Sequence, residues 1–516
     1  MIRRIKGLWK LLFGRTTILV LLLAVQIVAI SVGFEILGNN VIAANYIGGI
    51  LAAIILMYLV NNNQNSSFKL MWIILILTVP ILGVAFYFYT KFQPLTRKMA
   101  VNLDRVIKSQ HQYLMPDRDC VDKLLTENSN EFGVFKFIYE EGHYPVYDDA
   151  SVRYFPSGED KFKELVFRLE RAKEFIFLEY FIIEQGYMWD TIYGILKKKA
   201  AEGVEVRVLY DGTCNLTLLP RNFPKKVRAD GIKCRIFSPM RPFLSTHQNN
   251  RDHRKVVVVD GEVAFTGGIN LADEYINRRK RFGHWKDTGL MVKGEAVRSF
   301  TMMFLQNWNI STGQKEDYSR YIRHNFVTEQ SLRNGGYIAP YGDNPLNNEE
   351  VGKKVYLDIL NRANRYVHIM TPYLILDEET KDALMFAAQR GIDVKLIMPH
   401  IPDKKYAYFL ARTYYEELIR GGVKIYEYTP GFVHAKVFTS DDEKAVVGTI
   451  NLDYRSLYLH FECAAYMYRN PIVNDIEMDF SNTLSQCQRI TLEDCASYNL
   501  LFKICGRALK LVAPLM

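Results

Sequence analysis

The chain of 516 residues has no Cys-x-x-Cys pair: its seven cysteines, at 120, 214, 234, 463, 487, 495 and 505, are scattered and none clusters with histidine. That spacing excludes a thiolate zinc site and a disulfide framework, and fits a reducing compartment. Charge is sparse, at 23% of residues against 49% hydrophobic and 13% aromatic, which excludes a disordered polymer. It leaves apolar material for two cores of ordinary domain size plus membrane segments. The net charge of +9 chooses neither anionic lipid nor nucleic acid as partner. The first fifteen residues hold no acidic side chain but five basic ones, Arg3, Arg4, Lys6, Lys10 and Arg15. The apolar stretch that follows lacks a clean small-residue exit and is succeeded by two more, which argues against a cleaved signal peptide.

Those three apolar stretches, 16–37 (with Glu35 near its end), 41–60 and 70–89, are what the sequence has in abundance. About twenty residues as a helix cross roughly 30 Å of hydrocarbon, so residues 1–95 are expected to form a multi-pass membrane region. The presence of these spans favours lipid over nucleic acid. Topology is contradictory, because Lys91, Arg97, Lys98, Arg105 and Lys108 make the far flank as basic as the near one, and both flanks favour the cytoplasm. Three full crossings would separate them. Either the first stretch lies in the interface or re-enters, or the charge rule is overridden; the rest of the chain is expected on the cytoplasmic side.

Beyond the membrane stretches one pattern occurs twice: His253, Lys255 and Asp260, then His434, Lys436 and Asp441, both H-x-K-x4-D. Seven residues after each Asp stands a glycine (Gly267, Gly448), and ten after it an asparagine (Asn270, Asn451). Two distant segments thus share a register of five residues. A lone histidine is more often a satisfied core residue, but this repetition points to chemistry. An imidazole is nucleophilic near neutral pH and transfers protons, and a lysine two positions along an extended strand shares its face and can hold a phosphate oxygen. If the copies face each other, one histidine can attack phosphorus while the other protonates the leaving alcohol, and no metal is needed.

The flanks of these motifs resemble bacterial cardiolipin synthases of the phospholipase D superfamily. In the first half the likeness lies in Asn250-Arg-Asp-His253-Arg-Lys255, Gly267-Gly-Ile-Asn270 and His284-Trp-Lys-Asp287-Thr. In the second it lies in Thr371-Pro372-Tyr373, Met398-Pro399 with Asp403, and Gly448-Thr-Ile-Asn451-Leu-Asp453-Tyr-Arg455-Ser456. Ala339-Pro340-Tyr341-Gly342 replaces a Ser-Gly-Pro often met in relatives, and touches no motif residue.

Local patterning agrees with two copies of one α/β unit. In the first, residues 162–172 have helical apolar spacing, 175–183 read as a strand, a helix runs to Ala201, and 204–210 form a strand. The second repeats this with a helix over 355–363, a strand over 366–373, a helix to Arg390 and a strand over 394–398. The expected fold is α/β: two tandem phospholipase D-like α/β sandwich repeats, over 110–310 and 351–516, forming one shared site after N-terminal transmembrane helices. A polar connection is expected over 311–350.

The resemblance implies a phosphatidyltransferase of the bacterial cytoplasmic membrane that joins two phosphatidylglycerols into cardiolipin and glycerol through a phosphohistidine. A phospholipase D hydrolase or another phosphatidyltransferase is the alternative. No cofactor, metal or nucleic-acid partner is expected, and the lipid partners are phosphatidylglycerol and cardiolipin. The implied catalytic set is His253, Lys255, Asp260, His434, Lys436 and Asp441, although both aspartates also suit a structural role. The commoner pattern in relatives makes His253 the nucleophile. Asn270, Asn451, Gly268 and Thr449 are expected around the substrate phosphate. In the superfamily each imidazole is braced by a carboxylate downstream of the opposite motif, which implies Glu462 beside His253 and Asp287 beside His434.

Overall fold

The computed structural model describes residue 28 and residues 41–240, 246–310, 316–323, 333–347 and 349–515. Its body holds two mixed sheets. The first contains β1 (Ser151–Phe155), β2 (Phe175–Tyr180), β3 (Glu205–Asp211), β4 (Lys233–Phe237), β5 (Lys255–Val259), β6 (Val263–Gly267) and β7 (Gly289–Lys293). The second contains β8 (Tyr337–Asp343), β9 (Tyr366–Met370), β10 (Asp393–Pro399), β11 (Lys424–Tyr428), β12 (Val437–Ser440), β13 (Lys444–Gly448) and β14 (His460–Tyr468). The order of these strands is β1-β7-β6-β5-β2-β3-β4 in one and β8-β14-β13-β12-β9-β10-β11 in the other, with Arg333–Asn334 added outside β1 and Cys487–Arg489 outside β11. The second sequence of strands is the first advanced by seven throughout, so the motif repeat is also a repeat of topology.

In each sheet three strands run parallel, β2-β3-β4 and β9-β10-β11, and the others pair antiparallel. Parallel neighbours need a crossover, which the helices Tyr187–Ala201 and Glu378–Gln389 supply. The two motif strands explain their apolar runs: β5 (Lys-Val-Val-Val-Val) and β12 are buried at every position. Helices lie against both faces of the first sheet. Gly158–Arg171 turns Phe162, Leu165 and Leu169 inward behind an N-cap at Ser157. Val297–Ile310 is buried around nearly its whole circumference. One continuous apolar cluster contains that helix together with strands of both sheets, so the halves share a core.

The expected connection over 311–350 contains a strand that its polar flanks hid. Tyr337–Asp343 is β8, buried along its length and paired with β14. It stands at the end of the strand order, where Pro340 costs no central ladder bond.

The N-terminal expectations need correction. The stretch 16–37 lies outside the described residues apart from Val28. Val41–Asn61 is a 21-residue helix without a charged side chain. The stretch 70–89 is not one helix but two, Ser66–Thr78 and Pro80–Lys91. Pro80 has no N–H and its ring crowds the preceding turn, so the first helix stops before it and the proline opens the second. The second helix doubles back so closely that a Cβ on Gly83 would lie 2.8 Å from the Ile76 Cα. Among the described residues no helix is long and apolar enough to cross a membrane. The hairpin is tied to the catalytic body: Asn65 Nδ2 donates to the Tyr458 hydroxyl at 2.8 Å, the Tyr454 hydroxyl donates to Ser67 Oγ at 2.8 Å, and Phe68 meets both tyrosine rings edge-on.

Candidate active site

Two short parallel pairings between the halves build the site. Arg251–Asp252, just before the first motif, pairs with His460–Phe461 at the head of β14. Gly431–Val433, just before the second, pairs with His284–Lys286. Each register brings a motif histidine level with the carboxylate of the other half. The His253 N–H donates to the Phe461 carbonyl at 2.9 Å, and the His434 N–H to that of Lys286 at 2.7 Å. Glu462 and Asp287 are the next residues along. His253 Nδ1 lies 2.9 Å from both oxygens of Glu462, and His434 Nδ1 lies 2.7 Å from Asp287 Oδ2. Both carboxylates are fully buried.

The braces are themselves held. Ser456 Oγ donates to Glu462 at 2.7 Å and Thr449 Oγ1 donates to its other oxygen. Arg254, buried inside the first motif, donates to the Glu462 backbone carbonyl at 3.0 Å and to that of Met303 at 3.1 Å, locking β14 to the central helix. Asp287 accepts the Thr288 N–H at 2.8 Å. A Cβ on Gly268 would meet Asp287 Oδ1 at 2.1 Å and the His434 carbonyl at 2.9 Å, so this glycine is what lets the carboxylate reach the imidazole. Gly268 and Thr449, expected at the substrate phosphate, therefore stand behind the braces.

The imidazoles share a cavity of about 540 Å³ whose walls also include Asn270, Asn451, Asp453, Arg455 and His460. The amide nitrogen of Asn270 donates to the Tyr275 hydroxyl at 2.7 Å, and its oxygen accepts the Ile182 N–H at 3.0 Å. The side-chain oxygen of Asn451 is buried without a partner among the described residues. Aromatic rings fix the imidazole planes: Phe181 stands edge-on to His253 at 4.9 Å, and Tyr275 and Trp285 lie 5.4 Å from His434. Lys255 and Lys436 are fully buried beneath the cavity, each donating to the carbonyl of its own motif histidine. Lys436 Nζ is also 3.0 Å from His434 Nδ1.

The motif aspartates, expected in the catalytic set or in a structural role, each bond within their own half. Asp260 accepts the N–H groups of Lys173, Glu174 and Phe175, each at 2.8 Å. Asp441 accepts those of Asn364, Arg365 and Tyr366 at 2.8 to 3.0 Å. Each adopts positive φ and ties the turn after its motif strand to the start of β2 or β9 within its own half. A carboxylate taking three backbone donors is a structural clamp, and neither aspartate lines the cavity.

His460 is a residue the sequence reading passed over. It lies on the cavity wall with its ring 5.5 Å from that of His253; its Nδ1 is 3.8 Å from Glu462 Oε1, and among the described residues neither buried ring nitrogen has a hydrogen-bond partner. It stands two residues before Glu462 on one strand, hence on the same face, which is the signal that would have found it.

Burial sets the electrostatics. Desolvation pushes His253 well below the ordinary imidazole range despite Glu462, and it brings His434 down to about 4, helped by Lys436 and opposed by Asp287. It lowers Lys436 to about 7 and Lys255 to about 8. The resting site thus holds neutral imidazoles over lysines that titrate near neutrality. An arriving anion favours every cationic form, so binding one raises the basicity of both imidazoles. For the free protein, kcat/KM should have its acid limb well below pH 6.5, where His253 is protonated, and should decline on the alkaline side from about pH 4, where His434 loses its proton, more steeply between about pH 7 and 8 as Lys436 and then Lys255 lose their charge. A pH profile with an acid limb at the ordinary imidazole value would contradict this.

Two facing α/β halves that contribute one histidine each to a single cavity define the phospholipase D-like class. The family described as "Cardiolipin synthase, PLD-like domain" matches residues 165–307 and 356–484, one segment in each half, and a "Phospholipase_D-nuclease N-terminal" family matches 50–90. The chain belongs to the cardiolipin synthase family of phospholipase D-like proteins. It is 33% identical over 458 residues to a cardiolipin synthase of Geobacillus kaustophilus, covering 88% of this chain and 90% of that one. It is 49% identical over 460 residues to an uncharacterized protein of Streptococcus mutans, covering 89% and 99%. Among solved structures, the phosphatidylserine synthase of Haemophilus influenzae aligns with a TM-score of 0.57 at 13% identity, over 75% of this chain and 100% of that one, a likeness of fold.

Proposed function

We propose that the protein is a membrane-embedded cardiolipin synthase that turns two phosphatidylglycerols into cardiolipin and glycerol. The observation that carries the reading is the pair of imidazoles in one cavity, each backed by a carboxylate of the opposite half at 2.7 to 2.9 Å. Neutral His253 attacks phosphorus through Nε2, forming a P–N bond as the P–O bond to the headgroup glycerol breaks. Its Nδ1 keeps its proton and donates it in a hydrogen bond to Glu462, whose negative charge steadies the cation that develops. His434, which takes up a proton on Nε2 when the phosphodiester anion binds, gives that proton to the departing glycerol oxygen. It then takes one from the terminal hydroxyl of a second phosphatidylglycerol, whose oxygen attacks phosphorus and releases His253. Asn451 and the two lysines offset charge on the phosphoryl oxygens. The hairpin over 66–91 and the apolar segments before it hold the catalytic body at the bilayer, with the body on the cytoplasmic side. Tyr454 and Tyr458 connect that hairpin to the turn bearing Asp453, Arg455 and Ser456.

Incubation of the purified full chain with labelled phosphatidylglycerol alone, in micelles, tests the reading. Cardiolipin and free glycerol are expected, with little phosphatidic acid, because the acceptor arrives from lipid into a cavity that keeps water from the intermediate. Phosphatidic acid as the main product would make the protein a hydrolase.

Metal dependence gives a separate check. Among the described residues one group of three, His253, His460 and Glu462, has ligand atoms within 4.8 Å of one another. An ion there would occupy the nucleophile rather than serve it. Thorough chelation should leave turnover intact and added Zn²⁺ should inhibit, since zinc favours imidazole and carboxylate donors. Activity lost to chelator and restored by a stoichiometric divalent ion would overturn the mechanism.

A further inference from the structure

A second basic cleft lies apart from the catalytic cavity, between the helices Lys405–Arg420, Leu492–Ala496 and Leu500–Val512. Its volume is about 380 Å³, and Arg412, Arg420, Lys503, Arg507 and Lys510 face it together with Glu416 and Glu417. Most of these charges are compensated. Arg412 is forked onto Glu427 at 3.0 Å, Arg420 pairs with Glu416 at 3.0 Å, and Lys510 lies 4.0 Å from Glu417. Lys503 donates to the Ala496 carbonyl at 3.2 Å, and neither it nor Arg507 has a carboxylate partner among the described residues. Two uncompensated cations in one cleft match a singly charged phosphodiester.

The C-terminal helix Leu500–Val512 supplies a direction for that ligand. One face packs inward: Phe502 meets Phe409 edge-on at 5.0 Å, and a Cβ on Gly506 would lie 2.3 Å from Thr413 Cγ2. Lys503, Arg507 and Lys510, at i, i+4 and i+7, line the cleft. Ile504 and Leu511, at i and i+7 beside them, are 55% and 53% exposed. A packed face, a cationic flank and an apolar outer face together make an interfacial helix. The helix also touches Ser66–Thr78, which exposes Leu70 and Leu77. The first turn of Lys405–Arg420 carries Tyr406 and Ala407 in the catalytic wall, and Arg412 is about 9 Å further along the same helix.

We propose that this cleft is a non-catalytic site for the phosphodiester headgroup of an anionic phospholipid in the bilayer, whose acyl chains lie along Ile504 and Leu511. It deepens the membrane reading above and rests on it. The bound lipid seats the C-terminal helix in the interface and sets the mouth of the catalytic cavity at headgroup depth.

The test is hydrogen exchange of residues 500–512 in the full chain carrying His253→Ala, which keeps lipid from being consumed, in neutral maltoside micelles. Phosphatidylglycerol is expected to slow exchange across this segment, and phosphatidylcholine or inorganic phosphate is not. Adding Lys503→Gln and Arg507→Gln should weaken the apparent affinity about 25-fold, at roughly fivefold per cation. Ile504→Asn, on the apolar outer face, should weaken it as well. Equal slowing by phosphatidylcholine, slowing by inorganic phosphate alone, or full slowing in the double glutamine variant would each overturn the site. Cardiolipin formation from monomeric short-chain phosphatidylglycerol, measured with His253 intact, reports separately on the catalytic reading. That activity should survive Lys503→Gln/Arg507→Gln, and its absence from the unmodified chain would refute the synthase while leaving a protected helix explained.

Discussion

Replacing Glu462 by glutamine should lower kcat roughly 10³- to 10⁴-fold with little change in KM, the size of effect seen when a histidine loses its orienting carboxylate. The amide keeps the volume, and its single oxygen can still accept from Ser456 or from Thr449, which donate to different oxygens of the carboxylate. What disappears is the negative charge 2.9 Å from His253 Nδ1, and with it the preference for the tautomer that leaves Nε2 free. Asp287→Asn should behave alike through His434, 2.7 Å away. The informative control is Asp260→Asn, at a residue of the motif itself. It loses charge-assisted bonds to three backbone N–H groups, so it should cost about 2 kcal/mol in stability and leave kcat near its starting value. Kinetics and thermal unfolding on the same preparations separate the cases. Undiminished turnover in Glu462→Gln would remove the brace from the mechanism.

The two histidines should fail differently. His253→Ala removes the nucleophile and should abolish turnover by about 10⁴-fold or more with every substrate. His434→Ala removes the proton donor, so a phosphatidyl ester of p-nitrophenol, whose leaving group needs no proton, should still react once. A burst of nitrophenol equal to the enzyme present, with an acid-labile phosphohistidine on His253, is expected, followed by slow turnover because the acceptor alcohol has lost its base. A burst in His253→Ala instead would exchange the two roles. Near-symmetry makes this a fair contest, since each imidazole is buried, carboxylate-backed and ringed by aromatic side chains.

Much of this site was legible from local pattern. The repeated His-x-Lys register marked both half-sites, and the strand and helix order over 158–211 and 351–399 follows from apolar periodicity, because burial of one helical face or of a whole strand is written in consecutive residues. The pairing of His253 with Glu462 and His434 with Asp287 was reached through family likeness, and periodicity alone could not have supplied it. Those partners stand 209 and 147 residues apart and meet only because Arg251–Asp252 pairs with the head of β14 and Gly431–Val433 with His284–Lys286. Spacing likewise could not tell that Asp260 and Asp441 clamp backbone, that Gly268 and Thr449 serve the braces, or that His460 faces the cavity. Each of those roles depends on which strand lies alongside. The break at Pro80 was visible as a residue, yet hydropathy averages over it, and only the folded hairpin with Gly83 against Ile76 turns one apolar stretch into two helices. The sequence by itself determined two half-sites, their chemistry and an apolar N-terminus. The tertiary structure decided which carboxylate serves which histidine and joined the halves into one cavity, because register between distant strands is fixed by shared burial rather than by any local preference.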